Sequence, residues 1–309
     1  MKHQARKDET LRFHKGQLLR VLAYIREHLD GPIELEAMAS LACLSPFHFH
    51  RVFRGMTGEA LMAHVRRLRL ERAARQLRAS SRPVIDVALE AGFDSHEAFT
   101  RAFKAAYVFS PTAFRRRSGP SPSLYAPSGV HYRPGVPLTD FRTQNKGLGS
   151  MKVKIVHLPP IRVAFLRHVG PYNECGLTWD RLCTWLGKEG LLGMGVRFIG
   201  VGYDDPECTP PEKVRYDACV EVGADFEPAD GIGVQYIEGG DYACATHVGP
   251  YEQLSDVYTV LMGQWIPNQQ RSLRNVPCFE IYLNTPENTA PEDLVTDVHV
   301  PLAPRSATP

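Results

Sequence analysis

The sequence predicts a multidomain fold. An all-α double helix-turn-helix domain is followed by an α+β domain, duplicated around an antiparallel sheet with pseudo-twofold symmetry. Two internal repeats indicate this arrangement: one has an offset of 50 residues and the other has offsets of 79 and 80. Between the repeats, a stretch rich in Pro, Ser and Gly shows no helical or strand period. We therefore predict domains at residues 1–117 and 151–309, joined by a linker at residues 118–150.

A stripe of apolar residues at helical spacing predicts the first helix. The stripe consists of Leu18, Leu22, Ile25 and Leu29. The pair Gly31-Pro32 closes the helix, because Gly is common just after a helix and Pro cannot continue one. We expect this helix to pack against the first helix-turn-helix.

The first repeat consists of two copies of a short helix, a turn and a capped second helix. The short helices are expected at residues 35–42 and 84–91. Ser45 and Ser95 are expected to cap the second helices, because a serine hydroxyl can accept a backbone hydrogen bond there. The residues that match at the offset of 50 are Ser45/Ser95, Phe49/Phe99, Arg51/Arg101 and Phe53/Phe103. This repetition indicates that the two segments form the same structural motif.

The second helix of each copy has an apolar face and a polar face. The matching phenylalanines lie on the apolar stripes, which are typical of a core. The polar faces can bind base edges and phosphates, although a solvated surface is the alternative interpretation. The candidates for DNA binding are Phe47, His50, Arg51 and Arg54 in the first helix, and His96, Glu97, Thr100, Arg101 and Lys104 in the second.

A long helix at residues 59–79 is predicted to join the two copies. A helix of this length spans roughly 30 Å. One turn of B-DNA measures about 34 Å along its axis. We therefore expect one chain, acting as a monomer, to place two helices in successive major grooves of double-stranded DNA.

Residues 92–115 read GFDSHEAFTRAFKAAYVFSPTAFR, which resembles the signature of the AraC/XylS family of transcription regulators. The resemblance covers about residues 16–117 and implies sequence-specific DNA binding. The base-reading positions of that family correspond to Phe47, His50, Arg51, His96, Glu97, Thr100 and Arg101. One departure is Cys43, which stands where the family often has a turn glycine. Because other residues tolerate positive φ poorly, we expect a somewhat different first turn.

The motif HVGPY begins each copy of the second repeat, at residues 168–172 and 247–251. The Gly-Pro pairs predict tight turns that lead into helices at residues 174–189 and 252–265. Strands are predicted at residues 163–169, 199–203, 216–222, 242–248, 279–283 and 295–300.

This duplication, together with the segment PCFEIYLN at residues 277–284, resembles the GyrI-like effector-binding domains over about residues 151–303. The resemblance implies a small-molecule effector, and the groove where the two halves meet is the expected site. Such domains can also contact RNA polymerase or other proteins, so a partner-binding role stays open.

The two halves differ at the centre of that groove. At the offset of 80, Glu280 corresponds to Gly200, so one strand carries a carboxylate where the other clears space. A carboxylate is costly to bury without a partner. In the GyrI-like family, which this domain resembles, the position holds a glutamate that faces cationic, aromatic ligands. The alternative interpretation is that Glu280 faces solvent. The candidate walls of the ligand site are Tyr203, Tyr282, Trp185, Phe198 and Tyr251.

The composition limits the compartment and the partners. Seven cysteines have no zinc spacing, and no transmembrane run or signal peptide is expected, which indicates a cytoplasmic protein. Residues 1–118 carry 21 Lys and Arg against 12 Asp and Glu, whereas residues 119–309 carry 15 against 22. The basic part suits DNA. No cofactor and no metal are expected, since His48 and His50 lie about 200° apart on a helix.

We therefore expect a DNA-binding transcription regulator, controlled by a small cationic or aromatic ligand, and not an enzyme. Two alternatives stay open. In the first, the C-terminal domain is a GyrI-like hydrolase of small molecules, with Glu280 as the general base. In the second, that domain is a partner-binding module fused to the DNA-binding domain.

Overall fold

The structure is a computed structural model. It describes residues 2–304 except 118, 120, 121, 146, 148, 150, 192 and 194, with side chains described from Arg12 onward. Parts of the predicted linker, and residues 305–309 of the predicted C-terminal domain, therefore lie outside the described residues. The chain forms two compact units, one spanning Arg12–Gln144 and the other containing the residues after Gln144.

The first part of the chain is helical, as its apolar periodicity predicts. The helices are α1 (Lys2–Glu27), α2 (Leu35–Leu41), α3 (Pro46–Thr57), α4 (Leu61–Ala79), α5 (Val84–Glu90), α6 (His96–Tyr107) and α7 (Pro111–Arg115). The predicted joining helix is α4, which begins two residues late because Ala60 is still extended. Among the described residues, we find no helix with the length and apolar character that a membrane span needs.

The turns of the two helix-turn-helix copies have the same backbone conformation. Cys43 has a φ of 54° and Gly92 a φ of 75°, both in the left-handed region. At both turns, this residue donates its N–H to the carbonyl three residues back, and the next residue donates to the carbonyl five back. The expectation of a different first turn is therefore wrong. Cys43 adopts the glycine conformation at some cost in backbone strain.

The predicted N-caps of α3 and α6 are confirmed. Ser45 Oγ accepts from the His48 N–H at 3.4 Å, and Ser95 Oγ accepts from the Ala98 N–H at 3.1 Å. The predicted apolar stripes are buried as well, through Phe49, Phe53, Phe99 and Phe103. Burial of one such ring contributes about 1.5–3 kcal/mol. Both second helices are therefore held in place by a buried apolar face.

A buried ionic network lies along α4. Arg67 donates to the two carboxylate oxygens of Glu59 at 3.0 and 2.6 Å, and to the carbonyl of Val130 at 2.8 Å. Glu71 lies 3.4 Å from Arg67 and accepts from the backbone N–H of Tyr132 at 2.8 Å. Each buried charge therefore has a partner, which is what makes its burial tolerable.

The segment after α7 belongs to this helical unit. Val130 and Tyr132 are bound by the α4 network, and Ala126 and Phe141 are buried. The backbone N–H of Gln144 donates to the Met56 carbonyl at 3.0 Å. Parts of residues 122–144 are therefore packed on the helices, although the domain boundaries themselves stay a prediction.

The second unit is an α+β fold on one antiparallel sheet, which confirms the predicted class. Its strands are β1 (Val153–Leu158), β2 (Ile161–Val169), β3 (Phe198–Gly202), β4 (Arg215–Glu221), β5 (Gly233–Ile237), β6 (Gly240–Val248), β7 (Cys278–Tyr282) and β8 (Val295–Pro301). Among the described residues, the strand order is β1-β6-β8-β7-β3-β4-β2-β5.

Strands at equal distances from the two edges of the sheet are equivalent in the repeat. From the two ends inward, the sequence-equivalent pairs are β1 with β5, β6 with β2, β8 with β4 and β7 with β3. Such an order is what a duplicated domain requires, whereas the pseudo-twofold symmetry itself stays a prediction.

Strands β1 and β5 are additions to the predicted set. They lie at the edges of the sheet, and neither sequence, VKIVHL or GVQYI, shows a strict alternation of apolar and polar residues. Each edge strand pairs with the other half of the repeat: β1 with β6, and β5 with β2. The two halves are therefore interlocked.

Two helices follow the Gly-Pro turns. These are α8 (Gly176–Lys188) and α9 (Leu254–Val260), and α9 continues as a π-helical turn (Leu261–Trp265) and α10 (Ile266–Asn268). In both HVGPY motifs, the histidine Nε2 approaches the proline carbonyl oxygen: His168 to Pro171 at 3.0 Å, and His247 to Pro250 at 3.3 Å. The motifs therefore have the structural role of shaping a turn.

Substitution of Glu59 tests the α4 network. Although burial alone would raise it, the hydrogen bonds from His64 and Arg67 lower the pKa of Glu59 from 4.5 to about 2. Because the folded pKa is depressed, the stabilisation is present above pH 4.5 and is lost as the pH falls toward 2. Glu59→Gln should therefore lower the free energy of unfolding at neutral pH by about 1–3 kcal/mol.

The measurement is denaturation of the full chain between neutral and acidic pH, with hydrogen exchange of the α4 amides as the local readout. The control is Glu36→Gln, at an exposed position in the first turn of α2. If Glu59→Gln and Glu36→Gln had equal stability at every pH, the network would not stabilise the unit.

Candidate functional site

The polar face of α6 is accessible. His96, Glu97, Arg101 and Lys104 are exposed, and Thr100 is partly buried. Positions 97, 100, 101 and 104 follow the spacing that places residues on one side of a helix. The predicted residues of this helix therefore share one surface, as a helix lying in a major groove requires.

The matching helix α3 carries Phe47, His50, Arg51 and Arg54 at the same spacing. The Arg51 guanidinium lies over the Phe47 ring, 4.2 Å from its centroid, which is a cation–π geometry. Because positions 47, 50, 51 and 54 follow this spacing, the four predicted residues lie on one side of α3.

Glu280 lies at the centre of the sheet in the other unit. In the pairing of β7 with β3, Glu280 is directly opposite Gly200, its equivalent at the offset of 80. Directly opposed residues point to the same face of a sheet, and so do residues two apart in a strand. Glu280, Gly200 and Tyr282 therefore share one face, over which α8 packs.

Two phenol groups donate to the Glu280 carboxylate. Tyr258 on α9 donates to Oε1 at 3.0 Å, and Tyr282 donates to Oε2 at 2.6 Å. The hydroxyl of Tyr216 lies 2.9 Å from that of Tyr282, and the indole N–H of Trp179 on α8 donates to Tyr216 at 3.2 Å. Four aromatic side chains from four elements are thus connected to one carboxylate, two directly and two through Tyr282.

More aromatic rings surround this group. The Tyr251 ring is tilted against Tyr282 with centroids 5.2 Å apart, and Trp179 meets Tyr282 edge-on at 5.8 Å. Tyr172 meets Tyr216 edge-on at 5.8 Å. A carboxylate walled by aromatic rings suits a cation, because the ring faces and the carboxylate both attract positive charge.

Three phenols at the site, those of Tyr216, Tyr251 and Tyr282, have raised pKa values. Burial and then the nearby charge of Glu280 raise the pKa of Tyr251 to about 12. The same two causes raise the pKa values of Tyr216 and Tyr282 well above 10. Burial and Glu280 also raise the pKa of the Cys175 thiol to about 11. These groups therefore act as neutral hydrogen-bonding partners and not as anions.

The structure brings some of the predicted wall residues to Glu280 and leaves others elsewhere. Tyr282 and Tyr251 are at the site, and Phe198 borders it through Trp179, with centroids 6.1 Å apart. Tyr203 donates to Asp217 at 2.8 Å and belongs to the core on the opposite face of the sheet. Trp185 donates to Asp230 at 3.0 Å and packs on Phe226.

Four side chains at the site were not predicted: Tyr172, Trp179, Tyr216 and Tyr258. For three of them the repeat contained a signal. At the offset of 79, Trp179 corresponds to Tyr258 and Tyr172 corresponds to Tyr251, so that both halves carry aromatic residues at equivalent positions. Tyr216 corresponds to Thr296 at the offset of 80, and only the fold shows its position at the site.

Gly200 leaves room for hydroxyl groups. A Cβ atom at this position would lie 2.4 Å from the Tyr216 hydroxyl and 2.4 Å from the Tyr282 hydroxyl. Real Cβ atoms do not come so close to other heavy atoms. The space that the glycine was expected to clear for a ligand is therefore taken by the two tyrosines.

Gly200→Ala should displace one or both tyrosines and lower the free energy of unfolding by about 1–3 kcal/mol, the usual cost of overpacking. Thermal unfolding would measure the loss, and near-ultraviolet circular dichroism would report the altered rings. The control is Gly176→Ala, because a Cβ atom there has no heavy atom within 4 Å. Equal spectra and equal unfolding temperatures for both variants would contradict this packing.

Comparison with known families assigns both parts of the chain. Residues 151–303 match the family described as GyrI-like small molecule binding domain, and residues 38–117 match a helix-turn-helix domain of the AraC type. The two matches coincide with the two regions in which the candidate residues lie.

Three similar proteins cover different shares of the chain. "Transcriptional regulator Rob" of Salmonella typhimurium is 40% identical over 103 residues, which are 33% of this chain and 36% of that protein. "Probable transcriptional regulator YgiV" of Escherichia coli is 32% identical over 157 residues, 50% of this chain and 98% of that protein. "Regulatory protein SoxS" of Escherichia coli is 32% identical over 104 residues, 34% of this chain and 97% of that protein.

The match to Rob therefore spans about a third of that protein's length, whereas YgiV and SoxS are covered almost completely. With the helix-turn-helix match before residue 118 and the GyrI-like match after residue 150, the chain belongs to the AraC-type helix-turn-helix family, in the group whose members carry a C-terminal GyrI-like small-molecule-binding domain.

Proposed function

We propose that this protein is a sequence-specific DNA-binding transcription regulator, controlled by a small cationic or aromatic molecule bound at Glu280. The observation that carries the proposal is the carboxylate at the centre of the sheet, held by two phenols and walled by aromatic rings. Its location in a chain that also carries two capped recognition helices connects a ligand site with DNA binding.

The DNA-binding part of the proposal rests on the repeat of α2–α3 by α5–α6. Both copies have the same turn and the same serine cap. On α6, Arg101 and Lys104 are exposed beside Thr100, so cationic and hydrogen-bonding groups face outward together. Arg contacts to guanine specify sequence, whereas Lys contacts to phosphate supply affinity.

The ligand part of the proposal rests on charge and on the ring faces. Two donated hydrogen bonds stabilise the ionised form of the Glu280 carboxylate. The region after residue 118 also carries more Asp and Glu than Lys and Arg. A cation would therefore gain both from the carboxylate and from the rings, by about 0.5–2 kcal/mol for each good cation–π contact.

The regulator is favoured over the hydrolase alternative. The three relatives named above are called regulators or a regulatory protein. A carboxylate stabilised in its charged form by two phenols is also a weaker general base. Binding as a monomer and contact with RNA polymerase are further parts of the proposal that rest on the resemblance to the family.

Arg101→Ala tests base reading by α6. Binding-site selection with the purified chain would first define a specific sequence, and binding of wild type and variant to that site and to random DNA would follow. An arginine that reads guanine contributes about 1–3 kcal/mol of discrimination. The variant should therefore lose roughly 5- to 150-fold in affinity for the specific site, with a much smaller loss on random DNA.

The matched control for this experiment is Arg82→Ala, which removes an exposed arginine that pairs with Glu90 outside the recognition helices. It should leave both affinities nearly unchanged. Equal losses on specific and random DNA for Arg101→Ala would mean that this residue contacts phosphate only.

Glu280→Gln tests the ligand site. The probes are benzyl and naphthylmethyl trimethylammonium ions, each paired with the neutral isostere in which carbon replaces the ammonium nitrogen. Wild type should bind the cations more tightly than the isosteres in calorimetry of the full chain. Because Gln keeps the shape and removes the charge, the variant should lose this preference. If wild type and variant bound both members of each pair alike, Glu280 would not be the recognition residue.

A further inference from the structure

The hydroxyl groups beside Glu280 form a chain with only one possible direction. An ionised Glu280 carboxylate can only accept, so Tyr282 then uses its single proton to donate to Oε2 at 2.6 Å. The hydrogen bond between the two tyrosine hydroxyls, at 2.9 Å, must then use the proton of Tyr216. Trp179 can only donate, and it does so to the Tyr216 oxygen at 3.2 Å. Three successive hydrogen bonds therefore point toward one carboxylate.

Because of this direction, every donor in the chain of hydrogen bonds already has an acceptor. The protons of Trp179, Tyr216 and Tyr282 are all used within it, and the Tyr258 proton is used on Oε1. The ring hydroxyls consequently have no proton left for an anion or for an acceptor on a ligand. Hydrogen bonds in a row also strengthen one another when the site is shielded from water.

From this geometry we propose that Tyr216 and Trp179 are positioning residues that set the charge selectivity of the ligand site. They orient the Tyr282 hydroxyl so that it donates to Glu280. The site then presents no hydroxyl proton to a ligand, which favours cations. The proposal rests on the proposed function of Glu280. It extends that function to two residues that act on a ligand only through the carboxylate.

The packing around the two hydroxyls indicates that these hydrogen bonds are a specific feature of the fold and not a chance contact. Gly200 lies under the meeting point of the two hydroxyls, where any Cβ atom would be 2.4 Å from each oxygen. Neighbouring Tyr172 offers a contrast, because its ring packs on Tyr216 while its hydroxyl donates to the Asp204 carbonyl at 2.8 Å. Tyr172 thus shares the environment of the chain without being part of it.

The test compares Tyr216→Phe and Trp179→Phe in the full chain with the control Tyr203→Phe, which removes a phenol that donates to a carboxylate on the opposite face of the sheet. Each variant keeps an aromatic ring, and the first two remove a donor of the chain. The probes are naphthylmethyl trimethylammonium and its neutral carbon isostere. Tyr216→Phe should weaken binding of the cation by roughly 3- to 10-fold, the effect of one net hydrogen bond, and leave the isostere unaffected. Trp179→Phe should act in the same direction, and Tyr203→Phe should leave the preference for the cation intact.

The decisive readout is a double-mutant cycle with Glu280→Gln. If the chain acts through the carboxylate, Tyr216→Phe should have no further effect on cation binding once Glu280 is Gln. An equal loss for cation and isostere, or a loss that persists in the Glu280→Gln background, would overturn the positioning role. If Tyr216→Phe unfolds the protein, the same comparison with Trp179→Phe, whose side chain is only partly buried, decides the question. A wild type without preference for the cation would instead overturn the proposed function, and this inference with it.

Discussion

The pairing of β7 with β3 is the constraint on which the α+β unit depends. These are the only neighbouring strands at the centre of the described sheet that come from different halves of the repeat. Their register sets Glu280 opposite Gly200, and the missing Cβ atom admits the hydroxyls of Tyr216 and Tyr282. A slip of one residue would turn Glu280 to the opposite face and separate these groups.

The duplicated sheet has equivalent positions on both sides of that pairing, and the site arises where they differ. Glycine faces glutamate, and the sequence equivalent of Tyr216 is Thr296. Where the halves stay alike, as in the two HVGPY turns, the residues shape the backbone. The equivalent aromatic pairs Tyr172/Tyr251 and Trp179/Tyr258 also lie around Glu280, so the site combines shared positions with the one place where glycine replaces glutamate.

The helical unit is organised around α4. This helix connects the two helix-turn-helix copies, and it also carries Arg67 and Glu71, whose buried charges are satisfied by Glu59 and by the backbone of residues 130–132. Removing one partner of such a network leaves an uncompensated buried charge, which is strongly destabilising. The segment after α7 therefore completes the unit, although its composition alone is typical of a linker.

Local signals in the sequence determined most of the fold. Serine caps and helical stripes indicated the helix-turn-helix copies, because they depend on residues close together in the chain. The inner strands and the candidate Glu280 came from the second repeat, in which two distant segments show the same pattern. Only the tertiary structure decided which aromatic residues reach that carboxylate. Trp179 and Tyr258 come from two helices, and Tyr203 turns to the opposite face by strand alternation. The exposed edge strands and the turn at Cys43 also depended on pairing and packing, since neither apolar alternation nor the usual glycine was present to indicate them.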